Sequence, residues 1–233
     1  MARLLLVGNS RWHWARRQAD GLHVWHEPGP PQGACGDPGE PWADLEAWAA
    51  VGALPQDRPP PPERRLGLER VPLADLPPWL GIDRALAGWQ AWRRQGAGVL
   101  VADAGTCLSL TWIDAAGRFR GGRLSAGLAL QLRSLGAATA QLPTLTAGAE
   151  LGDCADPWPR ATASALEVGC LTACAAAVLQ GWRDLQASGE ASQLWLSGGD
   201  GERLAAVLGQ AGLTPALAPD LALEGLAALA QLS

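Results

Sequence analysis

The sequence predicts an α/β fold of two duplicated lobes with a cleft between them. Near the N-terminus an apolar run ends in Gly8-Asn9-Ser10, and a second apolar run, residues 99–102, ends in Asp103-Ala104-Gly105-Thr106. Short apolar runs bounded by turn residues are typical of buried strands that present polar groups at their ends. Each run is followed by two further strand patterns, which indicates an internal duplication.

The C-terminal lobe, residues 99–233, is predicted to run βββ–α–α–β–α–β–α. Strands are expected at 107–113, 118–124, 193–196 and 214–218. Helices are expected at 128–138, at 162–185, from the residue after Asp200 to Gln210, and at 221–232. Residues 163–179 of the helix at 162–185 are apolar, but Glu167 interrupts this stretch and Arg183 follows it closely. It is therefore predicted to be a buried helix rather than a membrane span. Its alanines are small enough for close helix contact, either in the core or across a dimer.

The N-terminal lobe, residues 1–98, is predicted to be a degraded version of the same plan. Strands are expected at 4–7, 11–15, 22–25 and 66–71, helices at 43–54 and 83–94, and loops at 28–41 and 55–65. Asp44 and Glu46 favour the first turn of the helix at 43–54, because acidic side chains complement the helix dipole there. A third long loop, residues 143–159, is expected to cap or line a site.

Composition excludes several kinds of chemistry. All 18 basic residues are arginine, so the chain has neither the lysine of a Walker-type phosphate loop nor one for a Schiff base. The net charge of −5, without any basic run, argues against a nucleic-acid partner. Because no signal peptide precedes the first strand, the expected location is the cytoplasm, and no membrane partner is expected.

The five cysteines do not form a CxxC pair. Cys170 and Cys174 are four residues apart on a predicted helix, which is compatible with a metal site or with two small buried thiols. We favour buried thiols, since histidines are lacking nearby in the sequence.

Three segments carry side chains suited to phosphate chemistry. Glycine lets a bound oxygen approach the backbone, so the tips at Gly8 and Gly105 are candidate phosphate clamps. The third segment, Gly81-Ile82-Asp83-Arg84, opens a predicted helix. Asp83 fits a simple helix N-cap, but Arg84 fits a structural role less well because a cation at a helix start opposes the dipole.

Six segments in this order resemble the type III pantothenate kinases, which belong to the superfamily of sugar kinases, actin and heat-shock ATPases. The tips and the Gly-x-Asp-Arg segment resemble the two phosphate motifs and the substrate motif. Three further segments complete the set. Residues 121–127 resemble a Gly-Gly-x-Ile-x-Pro-Gly segment, and residues 162–166 resemble a Thr-x-Ser-Ile segment. Residues 197–200 resemble the glycines on the adenosine side of the family's ATP site. The resemblance implies two ribonuclease H-like lobes and transfer of the γ-phosphoryl group of ATP to pantothenate, the first step of coenzyme A synthesis.

The resemblance also implies a role for each site residue. Asp83 would accept the proton of the pantothenate hydroxyl, and Thr162 would contact pantothenate in the neighbouring subunit of a homodimer. Asp103 would hold a monovalent cation, K⁺ or NH₄⁺. The implied substrate-site residues are Gly81, Ile82, Asp83, Arg84 and Thr162, and those for the ATP phosphates are Gly8, Asn9, Ser10, Arg11 and Thr106. Mg²⁺ is also implied, without assigned ligands.

The sequence departs from the family pattern at four places. Leu6 occupies the usual aspartate position of the first motif and Ser10 replaces threonine. Ala126 stands where a proline is expected, and the chain has no tyrosine for the position shortly before Gly81. Without a carboxylate at position 6, either ATP and water hold Mg²⁺ or the activity is weakened.

Two other functions remain open at this point. One is a related kinase or phosphatase that acts on a sugar or an acetate-like acid, and the other is a degenerate paralogue that binds nucleotide in a regulatory role. His13, on the second predicted strand, is interpreted as a structural residue rather than a catalytic one.

Overall fold

Two β-sheets form the framework of the protein, which is described here from a computed structural model covering residues 2–29, 42–145, 156–190 and 192–232. The chain divides into two units with their own contacts. The first contains Met1–Ala97, Ile113–Arg120 and Asp220–Ser233, and the second contains Gly98–Trp112 and Gly121–Pro219.

The sheet of the first unit has the order β3-β2-β1-β4. Its strands are β1 (Arg3–Val7), β2 (Arg11–Gln18), β3 (Gly21–Pro28) and β4 (Leu45–Ala50). The strands β1, β2 and β3 are joined by antiparallel pairing, which places Leu6 opposite His13 and His13 opposite His26. The fourth strand pairs with β1 in parallel.

Two predicted elements in this unit are wrong. The helix expected at 43–54 is strand β4, because parallel pairing with β1 outweighs the helix propensity of its alanines, Leu45 and Glu46. The strand expected at 66–71 contains instead a 3₁₀ turn, Leu68–Arg70. The loops predicted at 28–41 and 143–159 lie largely outside the described residues.

Two helices cover one face of the first sheet, α1 (Ile82–Gln95) and α5 (Leu221–Ala230). They approach closely because residue 225 is glycine; a Cβ there would lie 2.5 Å from the carbonyl oxygen of Leu86. Leucines and alanines fill the space between the helices and the sheet. The side chain of Arg17 on β2 ties α5 to the sheet by donating to the carbonyl oxygen of Ala227.

Tryptophans cover the opposite face of this sheet. Trp14 stacks on Trp25 at 6.0 Å and on Trp42 at 6.3 Å between ring centroids, and Trp12 lies 6.2 Å from Trp14. The side chains of Leu5, Leu45 and Trp48 pack with them. Large indole rings therefore provide the second apolar layer on this face.

The second sheet repeats the strand order of the first, as β7-β6-β5-β8-β9. Its strands are β5 (Gly98–Ala104), β6 (Cys107–Ile113), β7 (Phe119–Ala126), β8 (Ser192–Ser197) and β9 (Ala216–Leu217). The pairs β5–β8 and β8–β9 are parallel. In both sheets the fourth strand joins the first in parallel, which supports the predicted duplication.

The described part of the second unit contains three helices, α2 (Leu128–Ala138), α3 (Thr162–Ala187) and α4 (Gly201–Gln210). Among the described residues, α3 is long and apolar enough to span a membrane by length and composition alone, a test that core helices also pass. Its Glu167 is buried and paired with Arg203 on α4. Cys170 and Cys174 are free, buried thiols, as predicted.

Candidate active site

The first glycine tip is a tight turn between β1 and β2. The backbone N–H of Gly8 donates to the carbonyl oxygen of Arg11 at 2.9 Å, which closes the turn. Asn9, Ser10 and Arg11 are exposed, so their polar groups face outward. A Cβ at Gly8 would lie 2.8 Å from that carbonyl oxygen, so only glycine fits without a shift of the backbone.

The segment that follows β4 crosses this tip. The N–H groups of Val51 and Gly52 both donate to the carbonyl oxygen of Val7, at 2.9 and 3.1 Å. A Cβ at Gly52 would collide with the carbonyl oxygen of Gly8. This crossing was not predicted from the sequence, because residues 43–54 were expected to be helical. The duplication offered a signal, since Gly198 follows the fourth strand of the other sheet.

The Gly-x-Asp-Arg segment forms the start of α1, with Gly81 as its N-cap residue. Asp83 therefore lies inside the first turn and is not the N-cap, although its carboxylate accepts a hydrogen bond from the N–H of Arg84 at 2.8 Å. A Cβ at Gly81 would lie 2.6 Å from Oδ1 of Asp83 and 3.5 Å from Cγ1 of Val51. The substrate motif and the first tip thus both contact the segment Val51–Gly52.

The surroundings of Asp83 shift its pKa in opposing directions. Burial raises the pKa of this carboxyl group, while the N–H and the charge of Arg84 oppose that shift. Burial also lowers the pKa of the Arg84 guanidinium, whereas the Asp83 charge raises it. A carboxylate that is partly desolvated but still hydrogen-bonded is a stronger base than one in water.

The second glycine tip follows β5 and includes Asp103 near the end of that strand. Gly105 closes the turn by donating its N–H to the carbonyl oxygen of Cys107 at 3.1 Å. A Cβ at Gly127 would collide with the carbonyl oxygen of Gly105, so a second glycine crosses close to this turn. Thr106 is half-buried beside it, and its carbonyl oxygen accepts the N–H of Gly127 at 3.0 Å.

The carboxylate of Asp103 lies against the turn that follows β8. A Cβ at Gly198 would lie 2.5 Å from Oδ1 of Asp103 and 2.6 Å from the carbonyl oxygen of Ala104. Gly198 has a φ of 81°, a conformation that favours glycine. Asp200 then donates its N–H to the carbonyl oxygen of Ala104 at 3.1 Å and forms the N-cap of α4.

The two implied metal ions fit these residues unequally. A monovalent cation takes oxygen ligands, and the Asp103 carboxylate and the Ala104 carbonyl oxygen are donors of that kind. The two oxygens border a space that a Cβ at position 198 would fill. Leu6 is buried in the apolar core of its unit, so position 6 offers no ligand to Mg²⁺. Within the described ranges, no cluster of three or more His, Cys, Asp or Glu residues could hold a metal.

The remaining site residues lie where the sequence places them in the elements. Ile82 is buried in the first turn of α1, where its side chain anchors the substrate motif to the core of the first unit. Thr162 is the first residue of α3 and is exposed.

Comparison with known proteins finds relatives that align along most of the chain. The family model described as type III pantothenate kinase matches residues 68–184. A type III pantothenate kinase from Synechococcus elongatus is 37% identical over 227 residues, covering 89% of this chain and 88% of its own length. Another from Thermosynechococcus vestitus is 40% identical over 141 residues, covering 60% of this chain and 55% of its own.

Solved structures share the fold at lower sequence identity. A protein from Campylobacter jejuni, described as a Baf family transcriptional activator, has a TM-score of 0.59 at 17% identity and covers 99% of this chain and 98% of its own. A protein from Sinorhizobium meliloti, described as a 2-dehydro-3-deoxygalactonokinase, has a TM-score of 0.55 at 15% identity and covers 100% of this chain and 99% of its own. With the family match over half of the sequence and the relative that aligns along most of it, the chain belongs to the type III pantothenate kinase family.

Proposed function

We propose that this protein transfers the γ-phosphoryl group of ATP to the primary hydroxyl of pantothenate, giving 4′-phosphopantothenate, in the cytoplasm. Family membership supports the reaction. The observation that carries the assignment of the site is the position of Asp83, whose carboxylate lies over Gly81 beside the same segment that crosses the Gly8 tip.

Asp83 acts as the general base. A primary alcohol is too weak an acid to ionise alone, so a carboxylate that takes its proton while the oxygen–phosphorus bond forms lowers the barrier. Such assistance is typically worth about 10²–10⁴ in rate. Arg84 supplies the positive charge that pairs with the carboxylate of pantothenate, and Gly81 and Ile82 complete this part of the site.

The glycine tips bind the phosphates of ATP. The half-buried Gly8 and the exposed Asn9, Ser10 and Arg11 contact phosphate oxygens on one tip, and Thr106 contacts them on the other. Phosphoryl transfer depends mainly on alignment and on neutralising oxygen charge, which N–H groups and guanidinium groups provide. Asp103 holds K⁺ or NH₄⁺, and Mg²⁺ is bound chiefly by ATP and water because position 6 is leucine.

The protein acts as a homodimer in which Thr162 contacts pantothenate bound to the neighbouring subunit. Two observations support this role. Thr162 is exposed at the start of α3, and small exposed residues such as Ala165, Gly169 and Ala173 follow it along the same helix. Small side chains allow two helices to approach closely, so this surface suits contact with a second copy.

An assay of ADP release tests the proposal directly. We expect release that requires pantothenate, is faster in potassium than in sodium buffer, and is lost in Asp83→Asn. The matched control is Asp57→Asn, an exposed carboxylate of the same unit, which should keep wild-type turnover. Pantothenate-independent ADP release, or product formed from a sugar or an acetate-like acid instead, would identify a different kinase of the same superfamily.

One observation favours a second function. The buried Leu6 removes a carboxylate from the first tip, as expected of a degenerate paralogue that binds nucleotide in a regulatory role. Calorimetric titration with ATP and pantothenate distinguishes the two functions. Binding of both ligands without product in the release assay would establish the paralogue.

A further inference from the structure

A line of three polar side chains runs from the start of α5 to the first glycine tip. His13 on β2 and His26 on β3 share a hydrogen bond between their Nδ1 atoms at 3.0 Å. Nε2 of His26 lies 3.6 Å from Oδ1 of Asp220, the N-cap residue of α5. We call His13, His26 and Asp220 the histidine relay.

The relay ends at the glycine of the tip. A Cβ at Gly8 would lie only 3.1 Å from Nε2 of His13, so the free edge of this imidazole borders the Gly8 backbone. Because Nδ1 is engaged by His26, Nε2 is the nitrogen on the side of the tip. The titratable imidazole of His13 therefore lies next to the proposed phosphate site.

The hydrogen-bond directions follow from the charge on Asp220. At 3.6 Å the Asp220 carboxylate lies beyond hydrogen-bond distance of Nε2 of His26, but its negative charge favours the tautomer with a proton on that nitrogen, so Nδ1 of His26 is then the acceptor. His13 consequently donates from its own Nδ1, which leaves Nε2 with an unshared electron pair facing the tip. In this arrangement His13 presents a proton acceptor to the tip.

The charged groups around His13 keep it neutral in the absence of phosphate. Burial, then His26 on β3 and Arg11 on β2, lower its pKa to about 4. At the other end, burial raises the pKa of Asp220, His26 opposes this shift, and Glu224 of α5 adds to it. A phosphate at the tip would bring negative charge beside His13 and compensate the positive charge of Arg11.

We propose that His13 takes up one proton from solvent when phosphate groups bind at the Gly8 tip, and that its Nε2–H then donates to a phosphate oxygen. This inference rests on the proposed function, which places the ATP phosphates at that tip. It replaces the sequence-based interpretation of His13 as a structural residue. His26 and Asp220 act as positioning residues, because they fix which ring nitrogen faces the tip.

Linkage gives the sign and the size of the effect. Phosphate raises the pKa of His13, so nucleotide affinity increases as pH falls toward the range in which the complex is protonated. Between the pKa of the free protein, about 4, and that of the complex, the affinity changes by up to about tenfold per pH unit for one proton. Above both values the effect disappears.

Calorimetric titration of ADP into the full-length protein at several pH values between about 5.5 and 8, the range in which histidine titrates, tests the proposal. We expect His13→Gln to bind ADP with a shallower pH dependence than wild type, because glutamine donates a hydrogen bond but does not titrate. Comparing the slopes removes the contribution of the nucleotide's own phosphate. His23→Gln, an exposed histidine on the same strand as His26, is the matched control and should keep the wild-type slope.

The possible outcomes separate the two levels of inference. ADP binding with identical slopes in wild type and His13→Gln would overturn the relay proposal and leave the proposed function standing. Failure of wild type to bind ADP at every pH would overturn both. A shallower slope in His13→Gln alone supports the proposal.

A second measurement uses only the wild-type protein, in case the variant does not fold. The chain has three histidines, so imidazole nitrogen NMR signals are few enough to follow individually. We expect one ring to be an Nδ1–H tautomer without ligand and to become doubly protonated when ADP is added near pH 6. An unchanged set of three rings in the ADP-saturated protein would contradict the proposal.

Discussion

The two glycine tips have the same backbone arrangement but different side chains. In each unit the segment after the fourth strand donates an N–H to the carbonyl oxygen that precedes the tip, from Val51 to Val7 and from Asp200 to Ala104. In each unit a glycine at this crossing leaves no room for a Cβ. Two residues before the tip glycine, however, the first unit has buried Leu6 and the second has Asp103.

This difference shows which part of the arrangement the fold requires. The crossing depends on backbone atoms and on glycine, so it is independent of the side chain at position 6 or 103. The carboxylate is an addition that one tip has and the other lacks. The first unit has instead the turn of α1 that carries Asp83 next to its tip.

The largest effect is expected from Asp83→Asn, which removes the feature specific to the first unit. We expect kcat to fall by roughly 10²–10⁴ because the amide cannot accept the hydroxyl proton, while ADP binding is retained. Turnover by the coupled assay and affinity by calorimetry provide the measurements. Wild-type turnover in this variant would show that Asp83 is not the base.

The same residue gives a prediction for pH. Burial raises the pKa of Asp83, so its ionised form is less favourable in the folded protein than in the unfolded chain. Activity should therefore decline on the acid side as Asp83 becomes protonated, above the usual range of aspartate. At neutral pH, Asp83→Asn should be at least as stable to heat as wild type, and a lower melting temperature would contradict this reasoning.

Leu6→Asp tests whether the first tip can be given the carboxylate of the second. Leu6 packs in the core with Leu4 and Ala15, so an ionised side chain there lacks solvent. We expect the free energy of unfolding to fall by roughly 2–5 kcal/mol, measured by urea denaturation, because the core loses an apolar group and gains a polar one. A loss below about 0.5 kcal/mol, the range of neutral surface changes, would show that position 6 tolerates charge.

Gly52→Ala and Gly198→Ala test the shared backbone crossing. Each new Cβ meets a backbone oxygen, and Gly198 also has a positive φ, so we expect each to lower the free energy of unfolding by about 1–3 kcal/mol. Gly209→Ala on α4 is the control. Its Cβ meets no neighbour, and replacing glycine inside a helix should stabilise by about 0.5–1 kcal/mol. If all three variants changed the free energy of unfolding equally, the close backbone crossing would not be what requires glycine at positions 52 and 198.

The smallest expected effect is that of Asp103→Asn, which makes the second tip more like the first. We expect ADP affinity to fall about tenfold, equivalent to roughly 1.4 kcal/mol, and the preference for potassium over sodium to weaken. Turnover assays in the two salts and calorimetry measure these changes. Unaltered cation dependence would mean that Asp103 does not hold the cation.

Sequence patterns predicted most of the fold because the strands of both sheets are short apolar runs that end in turn residues. They failed at β4, where alanine, leucine and glutamate favour a helix and only pairing with β1 decides otherwise. They also gave no reason for the many tryptophans, five of which pack on a face of the first sheet. That role depends on which strand faces align, which local sequence does not reveal.

The site was predictable to a similar degree. Residues in continuous motifs, such as Asp83 and Asp103, were found from sequence, and their roles remain proposals. The contact of His13 with Gly8 and the crossing by Gly52 were not found, because both depend on neighbours brought together by sheet register. Short motifs thus identified the candidate site residues, whereas the residues that pack against them were identified only from the structure.

The position of α5 has a consequence for how the chain folds as it is synthesised. This helix packs against α1 and the first sheet, although residues 98–220 are made between them. The N-terminal strands therefore leave the ribosome without one of the two helices that cover their apolar face. Until residue 230 has emerged, the nascent chain carries an uncovered patch that suits binding by chaperones.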